Sequence, residues 1–474
     1  MLGLDYANAI IRNIRLRLFI IVASSALAAA PILPAQSRVN GQAVFDAARR
    51  DTTQEQATLT LRAIYQDLRS ASPRLHAATA LARAARARVP AAGLPPDPQV
   101  QLGWMNYELP ALEPMEIVGM TQLQVMQMLP LGGKLGLSRS IARSRADAQS
   151  ERALETWWEV RAQAAMPFYE LYRVDRSVTV MRETLRLLAG VRETAEAMYR
   201  VGSANQADVL RAQVEIARMT EDTLRMQAMR SAMAARLNAL LDRSHETPVA
   251  SPVLPMFPDV TPSLDSLIEL AYAARPMLRA GKADLSAAES MERLARKELL
   301  PDLQVGVQYA QRPKSGSAGD MTGATGTERM GSFMIGASVP VFARSRQVKA
   351  REEAAAMREM AASELATMRA DTRGAVSERY ADLVRSRRLA DLYRNTIIPQ
   401  SRATVSSALA AYRVGRVDFM TLLDNQMTLS KYRQELSQLE AEEGRAWVEL
   451  EMLTGAELIG TGASQAAALS GDAK

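Results

Sequence analysis

The chain of 474 residues contains no cysteine, only two histidines and few aromatic side chains, which make up 5% of it. Without cysteine there can be no disulfide framework, no thiolate zinc site and no cysteine nucleophile. A lipid anchor attached to cysteine is excluded for the same reason. The shortage of aromatic residues also argues against a series of compact domains.

The chain also lacks a large excess of charge of either sign. It has 58 basic and 52 acidic residues, so the net charge is only +6. Part of the excess lies in the first 28 residues, where Arg12, Arg15 and Arg17 outnumber Asp5. The other basic residues are scattered and form no block typical of nucleic-acid binding. We therefore expect no nucleic-acid partner.

Catalytic motifs are missing as well. There is no GxSxG motif, and LPLGGKL (129–135) lacks the first glycine and the Ser/Thr of a phosphate-binding loop. His245 and Glu246 lack the second histidine of a zinc-binding helix. The sequence thus predicts no enzyme, no cofactor, and no catalytic, cofactor-binding or metal-binding residues.

Long hydrophobic runs are absent beyond the N-terminal region. Basic residues at 12–17, an apolar run and small residues up to Ala28 are typical of a signal peptide, predicted here over 1–28. A membrane anchor is the alternative, but the run at 18–30 is shorter than the roughly 20 residues of a spanning helix. If the exported chain enters a membrane, it must do so as β-strands.

The chain contains an internal repeat. Four pairs of segments recur in the same order, at spacings that grow from about 203 to about 213 residues: 73–75 with 276–278, 96–100 with 301–305, 129–130 with 339–340, and 199–202 with 412–415. This pattern indicates a duplication in which each half is a helix, a β-hairpin and two further helices.

The repeat predicts the domain boundaries. The predicted segments are a linker at 29–52, a first repeat at 53–247 with a hairpin at 99–129 and a helical turn at 199–205, a Pro-rich linker at 248–262, a second repeat at 263–456 with a hairpin at 303–339 and a helical turn at 412–418, and a disordered tail at 457–474.

The predicted helices are long and meet in matching turns. Residues 345–398 read as one helix, and apolar residues across 422–453 alternate steps of three and four, as in a coiled coil. Gly202 and Gly415, in two YRVG segments, fit a helix end that needs positive φ. Ser203 or Asn205, and also Asp418, are the expected N-caps of the returning helices.

The predicted strands have one apolar and one polar face. Leu303, Val305 and Val307 alternate with glutamine and glycine, and the first hairpin repeats this pattern until it slips at Gln127. A soluble sheet packed on a helix or a barrel wall between lipid and a lumen would both show such alternation. The export signal favours the barrel, with four lumen-facing glutamines: Gln99, Gln101, Gln304 and Gln308.

Four strands cannot close a barrel, because the smallest known barrels have about eight. An open edge in lipid would leave backbone groups unsatisfied, so several copies of the chain must share the barrel. Eight strands are filled by side chains, whereas a water-filled lumen needs more. Three or more copies are therefore favoured, with hairpin tips at about 108–120 and 312–330 as loops.

These features together resemble the TolC family of outer-membrane efflux proteins over residues 53–456. The resemblance is carried by the doubled plan, the strand starts LPPDPQV (94–100) and LLPDLQV (299–305), the YRVG turns, and the segments DVLRAQ and LLDNQ that follow them. LPLGGK is similar to the strand exit of CzcC-like members, which serve heavy-metal efflux pumps.

The resemblance implies a mostly α-helical protein with a transmembrane β-barrel. Three copies form one twelve-stranded barrel in outer-membrane lipid, and their helical rods form a periplasmic tunnel. The tips are expected to meet a periplasmic adaptor (a membrane fusion protein) and an inner-membrane pump, usually of the resistance-nodulation-division (RND) class. The channel itself is passive, and the location is the outer membrane of a Gram-negative type envelope.

The resemblance also implies site residues at the tips. Acidic residues after the second YRVG turn ring the closed mouth in the family. Here Asp424 matches one such position and Thr421 departs from the other. The expected gate is Asp424, Asp208, Asp418 and Arg416, where a salt link from Arg200, Arg413 or Arg416 could hold the mouth shut. The turn residues expected to contact the adaptor are Tyr199, Gly202, Tyr412 and Gly415.

The substrate stays open at this stage. Methionine can bind Cu(I) through its thioether, but flexible packing and barrel lining are favoured for the methionines of the first hairpin. These are Met105, Met115, Met120, Met126 and Met128. Heavy-metal cations follow only from LPLGGK, and drug efflux or type I secretion are alternatives. A periplasmic coiled-coil scaffold without a pore is the alternative of another class.

Overall fold

The computed structural model describes residues 58–105, 107–108, 113–114, 120–203, 205–313 and 327–459. The predicted signal peptide and N-terminal linker lie outside these residues. So do the greater part of the predicted tail and most of both hairpin tips.

The described elements follow the predicted order of helix, hairpin and two further helices, except that two helices precede each hairpin where one was expected. The first half contains α1 (Leu61–Ala71), α2 (Pro73–Ala91), β1 (Gln99–Met105), the short pair β2 (Tyr107–Glu108) and β3 (Glu113–Pro114), β4 (Met120–Leu129), α3 (Lys134–Arg200) and α4 (Gln206–Leu240). The second half contains α5 (Leu264–Ala274), α6 (Pro276–Lys297), β5 (Asp302–Pro313), β6 (Thr327–Ser338), α7 (Gln347–Leu392), a π-helical turn (Tyr393–Ile397), α8 (Ile398–Arg413) and α9 (Phe419–Thr454).

The four long strands form one antiparallel sheet in the order β1-β4-β5-β6. Val100 lies opposite Val125, Val125 opposite Val307, and Val307 opposite Phe333, so apolar side chains share one face of all four strands. This face is not covered within the subunit, because Val307 and Phe333 keep 59% and 66% of their surface exposed. A soluble sheet would bury such a face on a helix.

Gln127 does not interrupt β4, although the sequence pattern predicted a slip there. The ladder between β4 and β5 is continuous, with Gln127 opposite Val305 and Leu129 opposite Leu303. Gln127 therefore lies on the apolar face, where its Nε2 donates to the carbonyl oxygens of Pro96 at 2.6 Å and Met128 at 2.9 Å. These hydrogen bonds explain why a polar side chain is tolerated without a change of register.

The long helices lie side by side in one layer. Next to the sheet, α2 packs against α3, α3 against α6, and α6 against α7, which is the order of the strands they join. In the other half of the rod, α3 packs between α4 and α9. At 1.5 Å per residue, the 67 residues of α3 extend about 100 Å.

The second long rod runs further than the sequence predicted. The sequence indicated one helix over 345–398, and the structure continues it through a π turn and α8 to Arg413. Proline lacks an N–H, and its ring crowds the carbonyl group four residues back. The wider turn directly before Pro399 relieves that crowding, which is how a rod can pass through a proline.

Both helical turns end in the same backbone motif. Gly202 and Gly415 adopt φ of 75° and 72°, as predicted. The N–H of Ser203 donates to the Met198 carbonyl oxygen at 2.8 Å, and the N–H of Arg416 to that of Ala411 at 2.9 Å. These six-residue closures are Schellman motifs, which satisfy the last carbonyl groups of each helix.

The expected side-chain caps are absent at these turns. Asn205 and Asp418 do occupy the N-cap positions of α4 and α9, but neither side chain makes a capping hydrogen bond. Asp418 instead accepts a hydrogen bond from the Thr421 hydroxyl group. The two residues therefore occupy the predicted N-cap positions, but their side chains do not make the capping hydrogen bonds that were expected.

A buried ion pair ties α3 to α9 near the middle of the rod. Arg161 Nη2 lies 3.0 Å from Glu451 Oε2, and the two side chains are only 6% and 1% exposed. Glu451 Oε1 also accepts from the backbone N–H groups of Leu458 at 2.7 Å and Ile459 at 2.8 Å. The carboxylate thus joins the first half of the chain to the segment that follows α9.

Replacing Arg161 by leucine should lower the free energy of unfolding by about 3–5 kcal/mol, because Glu451 would stay buried without its counter-ion. The measurement is thermal unfolding in detergent, followed by the helical circular dichroism signal. Arg74→Leu is the matched control, since Arg74 and Glu159 are 54% and 38% exposed and such a pair contributes at most about 1 kcal/mol. Equal losses in the two variants would contradict the assignment.

Candidate functional sites on the sheet and at the helical tips

The polar face of the sheet collects the glutamines that the sequence assigned to a lumen. Gln101 lies opposite Gln124, which lies opposite Gln308. The Nε2 of Gln308 donates to Oε1 of Gln122 at 2.5 Å, so amide side chains bond to each other along this face. The register also places Gln99 and Gln304 there, opposite Met126 and Met128.

Methionines share this polar face, in keeping with the barrel lining expected for the methionines of the first hairpin. Because the strand does not slip, Met126 and Met128 stand on the side of Gln124 and not on the side of Val125. Met126 and Met334 flank Gly306 from both neighbouring strands. A Cβ at Gly306 would lie 3.2 Å from Met126 Cγ and 3.4 Å from Met334 Cε. The missing side chain of Gly306 thus leaves space into which two methionines reach.

The predicted gate residues all lie at the tips of the two helical hairpins, on the surface or near it. Asp424 and Arg416 are exposed, and Asp208 is half-buried in the first turn of α4. The hydrogen bond from Thr421 lowers the pKa of the exposed Asp418, which keeps this carboxylate ionised. Thr421, where the family usually has an acid, thus contacts the acid three residues before it.

Tyr412 links the two tips. It is buried against Phe419, with the ring centroids 5.9 Å apart. Burial raises the pKa of Tyr412, and the carboxylate of Asp208 raises it further. The structure therefore brings Asp208 of the first hairpin close to the second YRVG turn.

The proposed salt links of the mouth are not formed within one subunit. Over the described ranges, Arg200, Arg413 and Arg416 have no carboxylate oxygen within 4.0 Å. The expectation that one of them holds the mouth shut is therefore not met inside the subunit. All three side chains are exposed.

The LPLGGK segment has a structural role at the junction of sheet and helices. Gly132 and Gly133 adopt φ of 74° and 79°, which turns the chain from β4 into α3. Lys134 is buried, and its Nζ lies 2.6 Å from Asp302 Oδ1 and donates to the Leu300 carbonyl oxygen at 2.8 Å. This motif therefore joins the first repeat to the second.

Within the part of the chain that the structure describes, no three His, Asp or Glu side chains are grouped as a metal site would require. Among the same residues, no helix combines the length and apolar character needed to cross a membrane.

Comparison with solved structures identifies proteins of the same fold. Among solved structures, the chain is similar to CusC, whose report describes transmembrane channel formation, with a TM-score of 0.71, 17% identity, and 84% of this chain and 93% of that chain covered. It is similar to VceC of Vibrio cholerae, an outer membrane protein, with a TM-score of 0.67, 17% identity and coverage of 84% and 96%. It is also similar to the open MtrE outer membrane channel of Neisseria gonorrhoeae, with a TM-score of 0.65, 15% identity and coverage of 84% and 89%.

At these identities the structural likeness concerns the fold. Among curated protein sequences, none matches this chain. The sequence profile of the outer membrane efflux proteins matches residues 64–243 and again residues 267–456. The chain therefore belongs to the outer membrane efflux protein family of TolC-like channels, which lie in the outer membrane and extend into the periplasm.

Proposed function

We propose that three copies of this chain form the passive outlet of a tripartite efflux system. In this proposal, a periplasmic adaptor contacts the helical tips, and an inner-membrane pump of the RND class supplies the energy. The observation that carries the proposal is the sheet, which has an exposed apolar face, a face of glutamine and methionine, and two outer strands. A wall between lipid and a water-filled lumen needs these two faces.

The outer strands β1 and β6 support the assembly from several copies. Each has a neighbouring strand of the main sheet on one side only. Unpaired N–H and C=O groups cost several kcal/mol each in lipid, so a sheet in a membrane must close. Three copies give twelve strands, which leave a lumen wider than that of an eight-stranded barrel.

The channel proposal is tested by fractionating cells and by planar-bilayer recordings on the purified protein. A channel is recovered from outer membranes with detergent and conducts ions. A periplasmic scaffold would wash off without detergent and would leave the bilayer silent.

The tip residues carry the proposed gate. Asp424, Asp208, Asp418 and Arg416 lie where three subunits would bring their hairpin ends together, and three carboxylates around a narrow opening favour cations. Tyr199, Gly202 and Gly415 lie exposed in the turns that the adaptor would contact. The expected contact through Tyr412 is not available, because this side chain is only 4% exposed and packs inside the subunit. Arg200, Arg413 and Arg416 support this proposal, because among the described residues of one subunit none of them has a carboxylate within 4.0 Å, which leaves them available to carboxylates of a neighbouring subunit.

Replacing Asp424 by asparagine should lower the preference of the channel for cations and change its conductance, because the mouth would lose one negative charge per subunit. The measurement is the reversal potential across a planar bilayer in a salt gradient. Asp242→Asn is the matched control, because Asp242 is exposed at the other end of α4, far along the chain from the tip. An unchanged reversal potential in Asp424→Asn, or an equal change in the control, would exclude Asp424 from the gate.

Soft heavy-metal cations are the substrate that we propose. The support is the methionine pair Met126 and Met334 on the polar face, because thioethers are ligands that select soft ions such as Cu(I). The likeness of LPLGGK to CzcC-like members points the same way, although Lys134 and both glycines have structural roles in the subunit.

Replacing both Met126 and Met334 by leucine should reduce the silver and copper tolerance that the chain confers on a deletion strain, because the thioethers are lost at similar volume. Bilayer conductance should stay unchanged. Met357→Leu with Met360→Leu, on α7, is the matched control. Unchanged metal tolerance together with altered drug tolerance would reject metals as the substrate and leave the channel in place.

A further inference from the structure

The two halves of the chain share one plan, but only one of the two possible junctions between them is made within a subunit. β4 of the first half pairs with β5 of the second. Their counterparts in the repeat are β6 and β1, the two outer strands of the main sheet. The helices agree, because α3 packs against α6, whereas their counterparts α7 and α2 lie at opposite edges of the layer.

In a trimer the second junction lies between subunits, and we propose that it copies the first in its strand register and in its ion pair. This inference rests on the trimer proposed above. β6 of one subunit pairs with β1 of the next in the register of β4 and β5. At the end of that pair, Arg344 binds Asp97 of the partner subunit, as Lys134 binds Asp302 within the chain.

The ion pair follows from the position of each residue in the repeat. Lys134 is five residues after Leu129, and Arg344 is five residues after Val339, the counterpart of Leu129. Asp97 follows Pro96 as Asp302 follows Pro301.

Lys134 and Asp302 differ in exposure from Arg344 and Asp97, as expected if the second pair forms only when another subunit is present. Lys134 is buried, and its Nζ lies 2.6 Å from Asp302. Arg344 and Asp97 are both exposed. Throughout the described segments, neither of them has an oppositely charged group within 4.0 Å. A free cation and a free anion thus lie at the two open edges, in the places where the first junction has its ion pair.

The transferred register is chemically consistent along the whole strand pair. The observed pair of Val125 and Val307 becomes Ile335 opposite Leu102, and the pair of Leu123 and Tyr309 becomes Phe333 opposite Trp104. All four side chains of the new pairs are exposed in the single subunit. A slip by one residue would bring Gln101 to the apolar face, which lipid contact forbids.

The helical hairpins show the same asymmetry. Tyr412 and Leu423 are each only 4% exposed where the two hairpins of one subunit meet. Their counterparts Tyr199 and Leu210 remain 46% and 52% exposed. Of each equivalent pair of apolar residues, the one in the second half is therefore buried within the subunit, and the one in the first half is left exposed. A second copy of the chain, which offers the complementary half, covers both.

The register is tested with cysteine pairs, for which this cysteine-free chain needs no background substitutions. Directly opposed residues in an antiparallel sheet have Cα atoms about 4.5–5.5 Å apart, within the range of a disulfide. Leu102→Cys with Ile335→Cys in one chain, treated with a membrane-permeant oxidant, should give a ladder up to covalent trimers on a denaturing gel without reductant. Val125→Cys with Val307→Cys is the matched control and should close within the chain, leaving monomers.

Val100→Cys with Ile335→Cys reports a register shifted by two residues and should crosslink at least several-fold less. If it crosslinks as well as the opposed pair, or better, the register is wrong, whereas conductance of the protein would still support the channel. If no pair crosslinks and the chain is monomeric in mild detergent, the trimer itself is wrong.

The ion pair is tested by reversing its charges. Arg344→Asp and Asp97→Arg should each reduce the fraction of trimer on heating in detergent, and the double variant should restore it to near the level of the unchanged protein. Arg346→Asp is the matched control, because Arg346 is an exposed arginine two residues away. Additive losses in the double variant, or an equal loss in Arg346→Asp, would overturn the pairing.

Discussion

The need to pair every backbone N–H and C=O group in lipid is the constraint on which the rest of this molecule depends. Four strands with an uncovered apolar face cannot meet it alone, because β1 and β6 each have an outer side. Helices satisfy their backbone groups internally and can lie in water as rods of any length. The protein therefore divides into a short sheet with two open edges and a long helical layer with its own buried contacts.

The two repeats are held together by a few contacts that run from the sheet to the helical tips. Residues that join β4 to α3 and β5 to α6 bring the halves together through Lys134, Asp302 and the two glycines of LPLGGK. Further along the rod, Arg161 and Glu451 hold α3 against α9, and Glu451 also fixes the segment after α9. The contacts between halves thus begin at the sheet and continue to Tyr412 at the tip.

Much of the fold could be predicted from the sequence because its signals are local and periodic. Period two gave the strand faces, glycine in YRVG gave the turns, and repetition gave the order of elements. The misses involve contacts that no local pattern encodes. Gln127 donates a hydrogen bond to the carbonyl oxygen of Pro96, and the Thr421 hydroxyl group donates one to the side chain of Asp418. A π turn directly before Pro399 allows the helix to continue through the proline.

Gln127 places one carboxamide on the face that otherwise carries valine, leucine and isoleucine, one row from the end of β4. Its Nε2 donates to the carbonyl oxygens of Pro96 and Met128, so the cost of a polar group on this face is offset within the subunit. Pro96 lies in the segment between α2 and β1. The same amide therefore fastens the chain that enters β1 to β4, at the end of the sheet that adjoins the helices.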